Sequence, residues 1–388
     1  MIYFFIVFIL LLCIYVYDVG NSKKYKKELY ITVCVILILV SGFSYRLGVD
    51  AIRYMNTFEE SPTFSSPFWL NYINDSNYGL GWNFLVITLK SIVPSFTFLK
   101  VVHAIIINGT FFYIISKWTK YCFSAVLFYF IWIYATLNFE VLREALAVSF
   151  FLLSLSFYFK KKWINYYLFI LVAIMFHLSA FPFLLLPILH LFKMNKYTLL
   201  FLIVIIIVLL IFSAQIQMLF LNAIFIEEVS SKAYYYFGSE KYSVSIFSIT
   251  RIINYIINIL MPIYVLNVMR KKNIIPEYWP LLCCYILIYT LTLTTPVFYR
   301  FNNYFNVFFV FIFLEFIGCQ YLPVSFKAST KRFLFAFGLF LFSVLKILPY
   351  SSSTGDSNIP DYARYYPYAS VFTETKDSTR EKLHRYFN

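Results

Sequence analysis

Charged residues are scarce in this chain. Asp, Glu, Lys and Arg make up 13% of its 388 residues, about half the share of an ordinary soluble domain, while hydrophobic residues reach 61%. That balance excludes a water-facing globule. Cysteine is also sparse and unpatterned. Cys13, Cys34, Cys122, Cys283, Cys284 and Cys319 lie within or at the ends of apolar runs, show no metal-ligand spacing, and read as buried fillers. The opening run Met1–Tyr17 lacks a basic leader and a small-residue cleavage site, so it reads as a first span rather than a removable signal peptide. No internal repeat is evident, which disfavours the inverted-repeat transporter folds.

What is present is a series of apolar runs of roughly 16–25 residues, each long enough for a helix to cross about 30 Å of hydrocarbon. The alternation of membrane β-strands is absent. Thirteen candidate spans follow: 2–17, 28–43, 79–95, 98–116, 121–137, 144–159, 164–178, 180–192, 197–219, 244–268, 279–294, 303–320 and 332–348. The stretch 164–192 contains Pro182 and Pro187 and reads either as one tilted, kinked helix or as a hairpin of two short ones. The expected fold is all-α: a polytopic transmembrane helical bundle of about 11–13 spans over 1–348, with a GT-C-like glycosyltransferase architecture as the candidate arrangement, and a polar C-terminal tail over 349–388.

The net charge is +14, but its basic residues sit mostly in short interhelical clusters, as orientation signals do, which argues against nucleic-acid binding. Lys23, Lys24, Lys26 and Lys27 place the first loop in the cytoplasm, as do Lys160–Lys162, Lys193 with Lys196, Arg270–Lys272, and Lys327 with Lys331 and Arg332. The outer side then receives the loops 44–78, 138–143, 220–243 and 295–302, and the tail. Counting outward from residue 43 to Lys160 gives the wrong parity, so one segment between 64 and 137 is miscounted or does not cross. In the tail, the Ser/Gly stretch reads as flexible, and the aromatic DYARYYPY segment is suited to packing back on an outer surface.

Several arginines fall on the side where the positive-inside rule expects few: Arg46, Arg53, Arg143, Arg251, Arg300 and Arg364. Each has two readings. It can snorkel or pair with Glu140, Glu144, Asp50, Glu227 or Glu228; or several can converge on an oxyanion such as a pyrophosphate, which guanidinium binds through parallel hydrogen bonds. Arg143 sits near a helix start, where backbone amides also favour an anion. Asp50, Tyr54 and Phe58 are spaced by four, on one helical face that can grip a sugar or lie on the membrane interface. Gly48 allows a turn before that face. His177, with Ser179, reads as a bundle histidine or as a base or hydrogen-bond donor to substrate; His103 and His190 read as structural. Asn138, Glu140, Arg143 and Glu144 form a second polar knot.

These motifs together resemble the EpsG-like branch of bacterial polysaccharide polymerases, the Wzy type. The resemblance rests on Tyr45-Arg46-x-Gly48-x-Asp50-x-x-x-Tyr54-x-x-x-Phe58, Asn138-Phe139-x-x-x-Arg143-x-x-Leu146-Ala147, His177-x-Ser179-Ala180 and Tyr299-Arg300-x-x-x-Tyr304. Glu144 departs from it, since many relatives carry glutamine there. The resemblance implies a glycosyltransferase in the bacterial cytoplasmic membrane that moves a growing glycan from polyprenyl pyrophosphate to a lipid-linked repeat unit on the outer face. It implies Asp50, His177 and Arg143 as catalytic candidates, and Arg46, Arg53, Tyr54, Asn138, Arg143, Arg251, Arg300 and Tyr304 as substrate or pyrophosphate ligands. A chain-length regulator and a flippase of the same pathway are candidate partners. No cofactor or metal is expected, because no Asp-x-Asp pair stands on an outer loop and no nucleotide-binding motif appears. The rival readings are a glycan ligase, an O-acyltransferase and a lipid-linked oligosaccharide transporter.

Overall fold

The computed structural model describes residues 2–75, 78–212, 215, 249–294, 298–318, 326–351 and 359–387. The expected outer loop 220–243, with Glu227 and Glu228, and the Ser/Gly stretch 352–358 lie outside the described residues. Those described are helical throughout, apart from connecting turns and one isolated β-bridge between Ser44 and Ser370. Four helices are long and apolar enough to cross a membrane: Ile2–Val19, Phe96–Trp118, Ile252–Lys271 and Ala328–Ile347. The protein is an all-α, multi-pass membrane protein.

Of the 11–13 expected spans, these four reach full spanning length and apolarity among the described residues. Six further apolar helices are shorter: Leu80–Ile92, Cys122–Tyr134, Trp163–Phe176, Leu178–Leu191, Lys196–Ile211 and Trp279–Leu293. At 1.5 Å per residue a 13-residue α-helix covers only about 20 Å, less than the hydrocarbon thickness. The stretch 164–192 takes the form of two short helical segments, and the Tyr166 hydroxyl of the first donates to the Phe183 carbonyl of the second. Helix Trp163–Phe176 stops at His177, whose backbone is extended, and a 3₁₀ segment Leu178–Leu191 follows. The expected loop 44–78 contains two helices, Ala51–Glu60 and Trp69–Asp75.

The chain divides into two compact units, Met1–Leu185 with Gly338–Asn388, and Leu186–Phe337. In the first, α1 (Ile2–Cys13, prolonged to Val19 by a π-turn) leads to α2 (Lys26–Gly42), α3 (Ala51–Glu60), α4 (Trp69–Asp75), α5 (Leu80–Ile92), α6 (Phe96–Trp118), α7 (Cys122–Phe128), α8 (Leu142–Tyr158) and α9 (Trp163–Phe176). Two π-turns, Tyr129–Tyr134 and Thr136–Glu140, carry α7 to the start of α8. Aromatic rings make the helix contacts: Tyr30 meets Phe112 between α2 and α6 at 4.8 Å, and Phe150 stacks on Phe176 between α8 and α9 at 5.4 Å. Polar groups of α6 and of the two π-turns satisfy one another. Asn108 donates to Asn138 Oδ1 (3.0 Å), Tyr129 donates to Asn108 Oδ1 (2.9 Å), and Asn138 donates to the Tyr134 carbonyl (3.0 Å).

The tail completes the unit. The Tyr45 amide donates to the Ala369 carbonyl, the Val371 amide to Phe43, and the Gly48 amide to Arg364, at 2.9, 2.9 and 3.0 Å. At the tip of this loop Gly48 has φ +88°, and an added Cβ would lie 2.4 Å from the Phe139 carbonyl oxygen. Arg46, also left-handed at φ 50°, grips Glu381 of the tail helix Ser378–Phe387 through two parallel bonds, Nε to Oε1 at 2.8 Å and Nη2 to Oε2 at 2.6 Å. His384 of the same helix donates Nδ1–H to the Val49 carbonyl at 2.9 Å, and Arg380 binds the carbonyls of Ala363 and Pro367. The DYARYYPY segment therefore packs back on the protein, as its composition suggests, and Tyr3 at the start of α1 donates to its Tyr365 carbonyl.

Two outcomes follow for stability. Gly48→Ala meets both the left-handed φ and the Phe139 carbonyl, so it should destabilise the protein by about 1–3 kcal/mol or more, read as a lowered melting temperature in detergent. The hydrogen bonds from Arg46 hold the Glu381 carboxyl below its ordinary range. Its stabilising contribution is thus complete above the unfolded value of about 4.3 and is lost as pH falls through the lower folded value. Limited proteolysis of the tail should accelerate in that acid window for the wild type, and Glu381→Gln should show the faster cleavage already at neutral pH.

Candidate active site

Two backbone devices, the Gly48 turn and the π-turns before α8, bring α3 and the first turn of α8 together. Arg143 is the second residue of α8. Its guanidinium lies over the Tyr78 ring, 4.4 Å from the centroid, and within hydrogen-bonding reach of the Tyr54 hydroxyl. Its Nε is buried and has no hydrogen-bond partner among the described residues. Guanidinium nitrogens rarely go unpaired away from water, so this atom is a donor available to a ligand.

α3 forms because its apolar positions recur every three to four residues: Ala51, Tyr54 and Phe58 are buried on one side, and Arg53 is exposed on the other. That face packs inward, Tyr54 on Trp82 at 5.3 Å and Phe58 on Phe96 at 5.7 Å, so α3 is seated on α5 and α6. Asp50 precedes the helix and lies close enough to influence the Tyr54 phenol, whose pKa is raised mainly by burial. Asn83 donates to the Tyr78 carbonyl at 3.1 Å, and Gly79 abuts the end of α9, where a Cβ would meet the Met175 carbonyl at 2.5 Å. Tyr78 is thereby placed under Arg143 and next to the segment that leads into His177.

His177 is half-buried. The Ser179 amide donates to its Nδ1 at 3.2 Å, with the Ser179 hydroxyl 2.6 Å away. An Nδ1 that accepts leaves the proton of the neutral ring on Nε2. His103 donates Nε2–H to the Leu142 carbonyl at 3.0 Å, fixing the residue before Arg143.

The remaining candidates each have their own surroundings. Arg46 is bound to Glu381, and Asn138 is fully buried in the Asn108–Tyr129 network. Arg53 is exposed. Arg364 pairs with Glu140 at 3.4 Å and Asp361 at 3.2 Å. Glu144 is buried in the first turn of α8. Arg300 and Tyr304 belong to the second unit: Arg300 is exposed beside Tyr299, and Tyr304 is fully buried. The side chain of Arg251 lies outside the described residues.

Sequence reasoning missed Tyr78, Glu381 and above all Lys100. Lys100 is 6% exposed, donates to Ser44 Oγ at 2.5 Å, and sits over the Phe139 ring at 5.2 Å. A lone lysine early in the apolar run 98–116 was the available signal. It borders a cavity of about 170 Å³ whose lining includes Ser44, Arg46, Thr97, Phe139 and Glu374. A second, apolar groove of about 300 Å³ is walled by rings that include Tyr3, Phe4, Phe130, Tyr350, Tyr362 and Tyr366. Among the described residues, no cluster of His, Cys, Asp and Glu could hold a metal ion.

No curated protein and no solved structure matches the chain. The EpsG family model matches residues 27–370, which takes in the Gly48 loop, α3, the Arg143 turn and most of the aromatic tail segment. The chain belongs to the EpsG family.

Proposed function

We propose that the protein is a polysaccharide polymerase. It transfers a growing glycan from polyprenyl pyrophosphate to a lipid-linked repeat unit on the outer face of a bacterial cytoplasmic membrane, within a GT-C-like helical scaffold. Membership of the EpsG family is consistent with this role. The observation that carries the chemistry is the buried, unpartnered Nε of Arg143 beside the Tyr54 hydroxyl.

In the reaction an acceptor hydroxyl attacks the anomeric carbon, and the bond from that carbon to the pyrophosphate oxygen breaks. The electron pair leaves on the pyrophosphate, and the hydroxyl proton passes to a base. Negative charge grows on the leaving oxygen. Arg143, with the first-turn amides of α8 and the Tyr54 hydroxyl, forms a donor set suited to receiving it. Asp50, before α3, is the candidate base. His177, with its proton on Nε2, is better suited to donate a hydrogen bond to a sugar than to accept a proton there. The apolar groove beside Tyr3 and Tyr366 suits a prenyl chain. Arg53 and Arg300, both exposed, stay candidates for further oxyanion contacts. A half-exposed His177 held by Ser179 gives less support to O-acyl transfer, which needs a histidine deep in a reaction chamber.

The test uses purified protein and lipid-pyrophosphate-linked repeat units without nucleotide sugar, with products resolved by length. Wild type should make a ladder of lengthened glycans. Arg143→Ala, folded by its melting curve, should lose roughly 10²-fold or more in rate, as removal of one charge-stabilising donor does elsewhere. Transfer of the glycan only to a different acceptor would make the protein a ligase. Undiminished lengthening by Arg143→Ala would return Arg143 to a packing role.

A further inference from the structure

Lys100 poses a problem that the chain itself does not solve. Its ammonium is almost wholly removed from water, and its hydrogen-bonding partner is a serine hydroxyl rather than a carboxylate. A buried charge is costly unless it is paired. The Phe139 ring under it offsets a part of that cost. Its position adds a second unfavourable term. Lys100 is the fifth residue of α6, a helix of 23 residues, so it lies at the positive end of the helix dipole, where a cation is disfavoured. Phe96 and Thr97, the first two residues of the same helix, line the same cavity as Lys100; the Phe98 and Leu99 amides donate to the Ser95 carbonyl, which leaves the first two amides of the helix as its open donors. Arg46 borders the cavity as well, its charge already matched by Glu381. The tail contributes a single exposed acid, Glu374, to the lining. An ammonium, a helix N-terminus and a volume of about 170 Å³ thus converge where, among the described residues, no buried carboxylate lines the cavity.

We propose that this cavity is a second oxyanion site, which takes a phosphate-type group through Lys100 and the first turn of α6. It is separate from the Arg143 cluster. α3 stands between the two, with Ala51 and Met55 lining the cavity and Tyr54 facing Arg143. The proposal takes its ligand class from the polymerase reading, in which donor and acceptor each carry a pyrophosphate. One oxyanion leaves at Arg143, and the other stays attached to the acceptor lipid and is held at Lys100.

The test is a binding measurement on the full chain in nanodiscs, so it does not depend on polymerisation. The probes are polyprenyl pyrophosphate, inorganic pyrophosphate and the uncharged polyprenol as control, titrated against wild type, Lys100→Met and Thr97→Glu. Methionine keeps the stem of Lys100 and removes the buried charge, so the ligand-free melting temperature should hold or rise, whereas a structural lysine would lower it. Glutamate at 97 suits a helix first turn and therefore folds, and its carboxylate competes with an incoming anion. Both variants should bind polyprenyl pyrophosphate roughly tenfold or more weakly than wild type, the scale of one charge-assisted bond, with polyprenol unaffected. Matching weakening for inorganic pyrophosphate identifies the anion alone as the ligand, and weakening for the lipid form only identifies the lipid headgroup. Equal binding by wild type and both variants, or no binding of either diphosphate by wild type, overturns the site. Ladder formation by wild type in the presence of that result would leave the polymerase reading standing.

Discussion

The candidate active site depends on a backbone-to-backbone contact. Gly48 approaches the Phe139 carbonyl so closely that no side chain fits between them, and the loop on either side of Gly48 is tied to the tail by main-chain hydrogen bonds. That contact sets the height of α3 relative to the first turn of α8. Tyr54 then meets Arg143 because both helices start from the same fixed point. The Arg46–Glu381 pair and His384 hold the loop from the other side. In a chain this poor in charge, these few polar contacts position the chemistry, and the apolar mass supplies the walls.

The polar groups inside the first unit divide into two kinds. Asn108, Asn138, Tyr129 and Ser41 form a closed set in which each finds a partner among the others or on a neighbouring carbonyl. Such a set adds rigidity at little net cost and asks for nothing from outside. Arg143 and Lys100 are different. The Nε of Arg143 and the ammonium of Lys100 are buried donors whose capacity the described chain does not fill, and each residue stands at the start of a helix. The distinction separates residues that hold the bundle from residues that await a ligand.

Much of this was legible in the sequence. Run length and charge scarcity sufficed for a helical membrane protein, and the spacing of Tyr54 and Phe58 put them on one face of α3, which packs inward on Trp82 and Phe96 rather than lying on the interface. The tail's aromatic composition anticipated that it packs back. What was hidden has physical reasons. Periodicity reports local structure, so it could not reveal that Arg46 has its partner 335 residues away at Glu381. The π-turns between Tyr129 and Glu140 leave an apolar pattern almost unchanged while shortening the regular helix, so a span counted by hydropathy runs past the true one. Lys100 vanished into the average of its apolar neighbours. Asn138 stood as a ligand candidate through the motif that it opens, and its network with Asn108 and Tyr129 is visible only in three dimensions.

The contact of the tail with both ends of the first helical pair has a topological consequence. Tyr3 bonds to Tyr365, and Gly48 bonds to Arg364, one residue along the same segment. Residues this close lie at one end of the unit and so on one side of the bilayer. Helices α1 and α2 make the out-and-back passage between Tyr3 and Gly48. The remainder of the chain, from α3 to residue 359, must return to the side it left. Between Tyr3 and Arg364 the chain therefore crosses the membrane an even number of times, so the thirteen apolar runs cannot all be single crossings.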